Sequence, residues 1–270
     1  MSTLPAVNSG LHIENKSSYG ETIMQALGLT DTGIKRIINE DSFRVQNYGE
    51  TILAVLCDGM GGARGGSTAS STGVKVFIDT FTELFNKAAK NIFGKYDFKT
   101  MLFTAVAKAN NFVFTKSVNE FDLHGMGTTI IACVAANNEY HAINVGDSRL
   151  YAIDAANVKL AQITKDHSFV QELIDSGKLT RDEAEKSPKR NLITRALGID
   201  EAVDVDYYSG KFESGTLLLC SDGLYNFVKE EDIYRAGTVY DDLDNCAKAL
   251  IDKANQNGGG DNITVVMIRH

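Results

Sequence analysis

The stretch TILAVLCDGMGG, Thr51 to Gly62, begins as an apolar run rich in β-branched and aliphatic residues and ends in Asp-Gly. That pattern predicts a buried strand over Thr51 to Cys57 that stops at Asp58. Glycines at 59, 61 and 62 leave the surroundings of Asp58 free of side chains, with a carbonyl able to turn toward a ligand, and a hard cation could use that. Taken alone, Asp-Gly is also a plain strand end with a turn. A second copy shifts the balance, because LLLCSDG, Leu217 to Gly223, is again an apolar strand running into Asp-Gly. Two more acids have similar settings: Asp147 follows Val145 and Gly146 in GDSR, and Asp261 follows three glycines and precedes an expected strand, Ile263 to Ile268.

Carboxylates gathered from four strand ends repel one another, at roughly 4 kcal/mol per close pair at intermediate dielectric, and divalent cations reverse that sign. The donor set is all oxygen, with no Cys/His spacing, so the expected ion is Mg²⁺ or Mn²⁺ rather than structural zinc.

The chain has 270 residues, 43% of them hydrophobic, enough for a substantial core. Its net charge of -8 argues against nucleic acid or an anionic membrane as the main partner, since either favours a basic face. Cys57, Cys133, Cys220 and Cys246 are far apart and read as small buried hydrophobes in a reducing compartment, with no CxxC pair for zinc or redox work. No apolar segment approaches the ~18 residues of a membrane span. The first 22 residues lack a secretion signal, so a cytoplasmic protein is expected. Only Pro5 and Pro188 occur and no linker breaks the chain, which predicts one domain over 23 to 270 after a polar, peripheral arm at 1 to 22.

Along that domain, Met24 to Thr30 reads as the first strand, and DTGIKRIINEDSF, 31 to 43, places Arg36, Asn39, Glu40 and Asp41 together. On composition this is a solvated turn, but a hairpin between Phe43 to Val45 and the Thr51 strand would bring it to Asp58. Steps of three and four predict a packed helix from Gly65 to about Lys90 and a second one capped by Asp97. Strands follow at Thr128 to Ala135, Tyr140 to Val145, Leu150 to Ile153 and Lys159 to Ile163, joined so tightly that they must be antiparallel, which removes a Rossmann-type sheet. Ser168 to Ser176 and Thr180 to Lys186 read as two short polar helices in a surface flap at about 165 to 195, the second opening with a capping box from Thr180 to Glu183. Strands return at Val203 to Tyr207 and Thr216 to Cys220, then helices near Glu230 to Ala236 and Leu243 to Asn255. Blocks of strands and helices imply an α+β protein with helices layered on antiparallel sheets.

These residues together resemble the metal-dependent protein phosphatases of the PP2C (PPM) type in their compact bacterial form. The matching blocks are Arg36 with NED at 39 to 41, DGMGG at 58 to 62, GMGTT at 125 to 129, GDSR at 146 to 149, TKDHS at 164 to 168, NLITRALG at 191 to 198, LLLCSDGL at 217 to 224 and GDNITVV at 260 to 266. The resemblance implies a four-layer α-β-β-α sandwich with two central antiparallel sheets and a two-metal site at one end. It implies Asp58 bridging two Mn²⁺ or Mg²⁺ ions, the Gly59 carbonyl on one of them, Asp222 and Asp261 completing the other shell, and Glu40 and Asp41 acting mainly through bound water. Asp147, with Asp222, matches the position of a third, weaker ion, and Arg36 that of the group holding the substrate phosphate. The activity implied is hydrolysis of phosphoserine and phosphothreonine in proteins by a metal-activated bridging water, without a phosphoenzyme, by a monomer acting on substrates of Ser/Thr kinases.

Departures from the family pattern leave some points open. Met60 stands where many eukaryotic members have a histidine proposed as the general acid, and Ala63 and Ser67 differ from many bacterial members. His167, the one histidine inside a motif, reads as structural. Two other readings compete: an inactive module that binds a partner through residues 168 to 190, which should have lost metal acids, and a structural Ca²⁺ protein, for which no EF-type loop is present.

Overall fold

A computed structural model describes residues 8–16, 22–89, 96–154 and 156–270. In chain order the strands are β1 (Asn8–Lys16), β2 (Thr22–Asp31), β3 (Asp41–Asn47) and β4 (Ile52–Met60), followed by helices α1 (Gly62–Ala89) and α2 (Phe98–Asn119). Then come β5 (Gly127–Thr128), β6 (Ile130–Ala136), β7 (Glu139–Val145), β8 (Arg149–Asp154) and β9 (Lys159–Gln162), and the short helices α3 (Phe169–Asp175) and α4 (Arg181–Glu185). The chain closes with β10 (Asp206–Lys211), β11 (Thr216–Cys220), α5 (Asp222–Tyr225), α6 (Glu230–Val239), α7 (Leu243–Gln256) and β12 (Ile263–Arg269).

The strands form two antiparallel sheets, one ordered β1-β2-β12-β11-β8-β9 and the other β10-β7-β6-β4-β3, with β5 paired to the end of β4. Side chains alternate across a strand, and β4 shows what that does here. Its odd residues Leu53, Val55 and Cys57 pack with Phe77, Phe81, Leu102 and Val106 of α1 and α2. Its even residues Ile52, Ala54 and Leu56 face Leu217, Leu219, Val266 and Ile268 of the other sheet. A strand buried on both faces must be apolar throughout, which is why the Thr51 stretch lacks alternation. The outer face of the β1-β2-β12-β11-β8-β9 sheet, with Leu218 and Met267, packs on Ile233 of α6 and on Cys246, Leu250 and Ile251 of α7. The layers are thus α-β-β-α, and the α+β sandwich expected from the sequence is the fold observed.

Helix starts follow their caps. Asp97 accepts the Thr100 N–H at the start of α2, and the Thr180 to Glu183 capping box opens α4. Several expectations need revising. Strand β4 does not stop at Cys57 but runs to Met60, because Gly59 and Met60 pair with β5. The tight link between β7 and β8 is not a hairpin: the two strands lie in different sheets, so Gly146 to Ser148 crosses from one to the other. The strand expected at Val203 to Tyr207 lies later, at Asp206–Lys211, where a half-exposed edge tolerates the polar sequence DYYSGK. Within the expected arm, residues 8 to 16 form β1, an edge strand on β2, while residues 1 to 7 and 17 to 21 lie outside the described ones. All four cysteines are buried and unpaired, as read.

Candidate metal centre

Strand registers bring the acids to one end of the sandwich. Asp41 at the start of β3 is paired across from Asp58 near the end of β4. Cys220, just before Asp222, is paired with both Arg149 of β8 and Val265 of β12, which bracket Asp147 and Asp261 at the same end. A cavity of about 660 Å³ opens there, lined by Arg36, Glu40, Asp58, Gly59, Asp147, Asp222 and Asp261, with Met60, Asn191 and Ile193 among its other walls. Of the site residues expected from sequence, only Asp41 does not line it. Asp41 is buried behind the cavity, where its Oδ2 accepts hydrogen bonds from Ser221 Oγ at 2.8 Å and Thr264 Oγ1 at 2.6 Å, while its Oδ1 is buried without a partner.

The local sequence explains how each group is held. The GMGTT segment locks the backbone of Asp58: the Asp58 N–H donates to Thr129 Oγ1 at 2.9 Å, and the Asp58 carbonyl accepts from the Thr129 N–H and from Thr128 Oγ1, both at 2.8 Å. Glycine is required at 59, since a Cβ there would sit 2.1 Å from the Gly66 carbonyl oxygen and 2.7 Å from that of Glu40. At 223 a Cβ would lie 1.9 Å from the Asn262 carbonyl oxygen, so the glycine after Asp222 lets α5 approach the segment carrying Asp261.

Asn262 is the residue that sequence reasoning passed over. Its Nδ2 donates to the carbonyls of Thr32 and Ile38 at 2.9 and 3.0 Å, and its Oδ1 accepts the Glu40 N–H at 2.8 Å, tying the 32 to 40 loop to the start of β12. A buried amide with backbone partners on both sides of a loop is invisible to periodicity. The only signal was its place in GDN after Asp261. Arg149 is likewise structural: it pairs with Asp166 at 2.7 Å and lies 3.6 Å over the Tyr225 ring, and the Tyr225 hydroxyl donates to the Asp147 carbonyl at 3.0 Å. His167 accepts the Gly146 N–H on Nδ1 and is buried beside Arg195 and Asp206, in keeping with a structural role.

Electrostatics sets this end apart from the rest of the molecule. Burial, and then the charges of Asp41, Asp222, Asp147 and Asp261, hold the Asp58 carboxyl well above the ordinary carboxylate range. Asp222 is raised in the same way, by burial and then by Asp147, Asp261 and Asp41, with Arg36 opposing. Asp147 is pushed up to about 7 by burial and the charge of Asp166. Asp41 is pushed up to about 6 by burial, against the hydrogen bonds from Thr264 and Ser221. Burial also raises Glu40, with Arg36 opposing. For Arg36, burial acts to lower the pKa, but the charge and hydrogen bond of Asp261, aided by Glu40 and Asp222, outweigh it and raise it. Carboxyls raised together by burial and by one another's charge in a cleft mark a candidate cation or catalytic site.

The residues present fit hard divalent ions. The donors are oxygens, Asp41 Oδ1 is an orphaned buried acceptor, and the pKa values of Asp58 and Asp222 are raised by burial and then by neighbours whose charge a cation would offset. Among the described residues no three His, Cys, Asp or Glu side chains stand as a group that could hold an ion unaided. Two of the acids are instead engaged within the protein, Asp261 with Arg36 at 2.8 Å and Asp222 with Asn226 at 3.0 Å. A complete shell therefore calls for water beside the protein oxygens.

Comparison with known proteins follows the same lines. The family model described as Protein phosphatase 2C matches residues 34–254. The serine/threonine phosphatase stp of Listeria monocytogenes serotype 4b (strain F2365) is 37% identical over 247 residues, spanning 91% of this chain and 95% of that protein. The structure of serine/threonine phosphatase Stp1 from Staphylococcus aureus superimposes with a TM-score of 0.82 at 32% identity, covering 97% of this chain and 99% of that one. The catalytic domain of serine/threonine protein phosphatase PstP in complex with two manganese ions gives a TM-score of 0.75 at 34% identity over 91% of this chain and 97% of that one. The family model takes in the whole β10-β7-β6-β4-β3 sheet, strands β8, β9 and β11 of the other, and the loops that carry Arg36, Asp58, Asp147 and Asp222, and on that ground the chain belongs to the protein phosphatase 2C family.

Proposed function

We propose that the protein is a metal-dependent serine/threonine protein phosphatase, hydrolysing phosphoserine and phosphothreonine in proteins. The observation that carries this reading is the convergence of Asp58, Asp147, Asp222 and Asp261 on one cavity with Arg36 at its rim. In this reading Asp58, the Gly59 carbonyl, Asp222 and Asp261 would hold two ions, with Glu40 and Asp41 acting through water, and Asp147 with Asp222 would hold a third, weaker one. The ions are Mn²⁺ or Mg²⁺, and the two manganese ions held by the PstP catalytic domain favour the count of two. Divalent ions bound there supply Lewis acidity and a water made nucleophilic near neutral pH.

The chain's own residues prepare the rest. Arg36 presents a planar fork suited to bidentate contact with phosphoryl oxygens, and Asp261 orients it from 2.8 Å. Ser221 and Thr264 donate to Asp41 and favour its ionised form. Asn262 fixes the loop that carries Arg36 and Glu40. Met60 lines the cavity and has no proton to give a leaving alkoxide, so that proton comes from another donor, such as water. Turnover needs no covalent phosphoenzyme.

The partners in this reading are phosphorylated proteins that Ser/Thr kinases produce, met by a monomer in the cytoplasm. Among the described residues no helix is long and apolar enough to cross a membrane. An inactive binding module would be expected to have lost these acids, and Asp58, Asp222 and Asp261 all line the cavity. The test is phosphate release from a phosphothreonine peptide and from p-nitrophenyl phosphate. Purified protein with Mn²⁺ should release phosphate, EDTA should stop it and fresh Mn²⁺ should restore it. No release from either substrate with Mn²⁺ or Mg²⁺ would contradict the reading.

A further inference from the structure

Scattered exposed apolar side chains need no explanation, but contiguous apolar surface beside a catalytic cavity does. Ile37 is 96% exposed and Ile38 47% exposed, and both line the cavity that holds Asp58, Asp222 and Asp261. They are not on a loose tip. The N–H groups of Ile34 and Lys35 donate to the Gly259 carbonyl at 2.9 and 3.0 Å, and Asn262 holds the Ile38 carbonyl and the Glu40 N–H. The loop is therefore tied down on both sides of Ile37, with Arg36 between the ties and paired to Asp261. Met60 and Ile193 add apolar wall to the same cavity. Both also line a neighbouring cavity of about 650 Å³, to which the exposed side chains of Leu192 and Ile199 contribute.

We infer that this apolar surface is the docking strip for the phosphoprotein, selecting phosphoserine or phosphothreonine that lies within a few residues of aliphatic or aromatic side chains. The inference rests on the phosphatase reading above. Its occupant follows from continuity: a phosphoryl group held at Arg36 and the acids leaves the flanking residues of the same chain over Ile37, Ile38, Met60 and Ile193. An extended peptide advances about 3.3 Å per residue with alternate side chains on opposite faces, so side chains one to three positions from the phosphorylated residue reach this rim.

The experiment compares three phosphothreonine peptides of one length, flanked by leucine and valine, by glutamate or by lysine, on wild-type protein and on the Ile37→Ser/Ile38→Ser double variant, both with Mn²⁺. These two side chains are exposed, so folding is undisturbed by their loss. Wild type should favour the apolar peptide in kcat/KM by about tenfold over each of the others, carried by KM, the scale on which apolar pockets discriminate. In the double variant that ratio should fall to about threefold or less, again through KM, as expected from removing part of an apolar contact. Equal kcat/KM on the three peptides, a preference for the lysine peptide, or a ratio unchanged in the variant would each overturn the inference. Turnover of p-nitrophenyl phosphate by wild type, which has no flanking residues to read, reports separately on the phosphatase reading. Equal kcat/KM on the three peptides in wild type with that turnover intact overturns the docking strip alone, and no turnover on any substrate overturns both.

Discussion

Asp58→Asn should lower turnover by more than about 100-fold, beyond the 10- to 100-fold typical of residues that merely support a metal ligand, while making the metal-free protein more stable. The two outcomes share one cause. Asp58 is the acid on which Asp41, Asp222, Asp147 and Asp261 all act, and together with burial they hold its pKa well above 3.8. A carboxyl raised in the folded state contributes stability that is fully present below its unfolded pKa and is lost as pH rises through the folded one. The loss therefore grows above about pH 4, and each unit of separation is worth about 1.4 kcal/mol. Asparagine does not titrate, so the variant escapes it. Thermal melts in EDTA should show Asp58→Asn melting above wild type at pH 8, with the gap narrowing at pH 5. A gap of about 1 kcal/mol amounts to roughly 2–4 °C in a domain of this size. Adding Mn²⁺ at pH 8 should raise the melting temperature of wild type and leave the variant nearly unmoved, since only a binder of the folded state stabilises it. Retained turnover, or a variant that melts lower at pH 8, would remove Asp58 from the centre of the cluster.

Arg36→Ala is the second large effect, and its signature is different. The guanidinium is 2.8 Å from Asp261 and 4.0 Å from Glu40, with nearly half of its side chain exposed toward the cavity mouth, a place for gripping substrate rather than ions. Its loss should lower kcat/KM by about 100-fold, the lower end of what one charge-stabilising donor supplies, chiefly through KM. Mn²⁺ affinity, read by calorimetry, should hold or strengthen slightly, because a positive charge next to Asp261 has been removed. A variant with normal KM and weakened Mn²⁺ binding would mean that Arg36 organises the acids and does not hold the phosphoryl group.

Much of this site is legible in the chain because its parts are short and local. Ile52 to Cys57 and Leu217 to Cys220 lie in strands buried on both faces, and such strands announce themselves as unbroken apolar runs leading into Asp-Gly. The caps at Asp97 and Thr180 are equally local and stand where the sequence puts them. What was not legible depends on contacts between distant segments. Nothing within GDSR says that Gly146 to Ser148 crosses between sheets, yet that crossing carries Asp147 into the cavity wall. Asp41 and Asp58 are each part of a recognisable block, but only the strand register decides that Asp41 sits behind the cavity on Ser221 and Thr264. The role of Asn262 comes from carbonyls more than 220 positions away in the chain. The half-exposed edge strand Asp206–Lys211 was misplaced because its polar residues carry no period that a buried face would impose.

The central claim is that acids from separate strand ends share divalent ions at one end of the sandwich. Anomalous diffraction from a crystal soaked in Mn²⁺ at pH 8 tests it most directly. The account predicts two manganese peaks roughly 3.5–4 Å apart, with an Asp58 oxygen bonded to both and Asp222 and Asp261 reaching one of them. Manganese peaks confined to other parts of the surface, with none within bonding distance of Asp58, would contradict it.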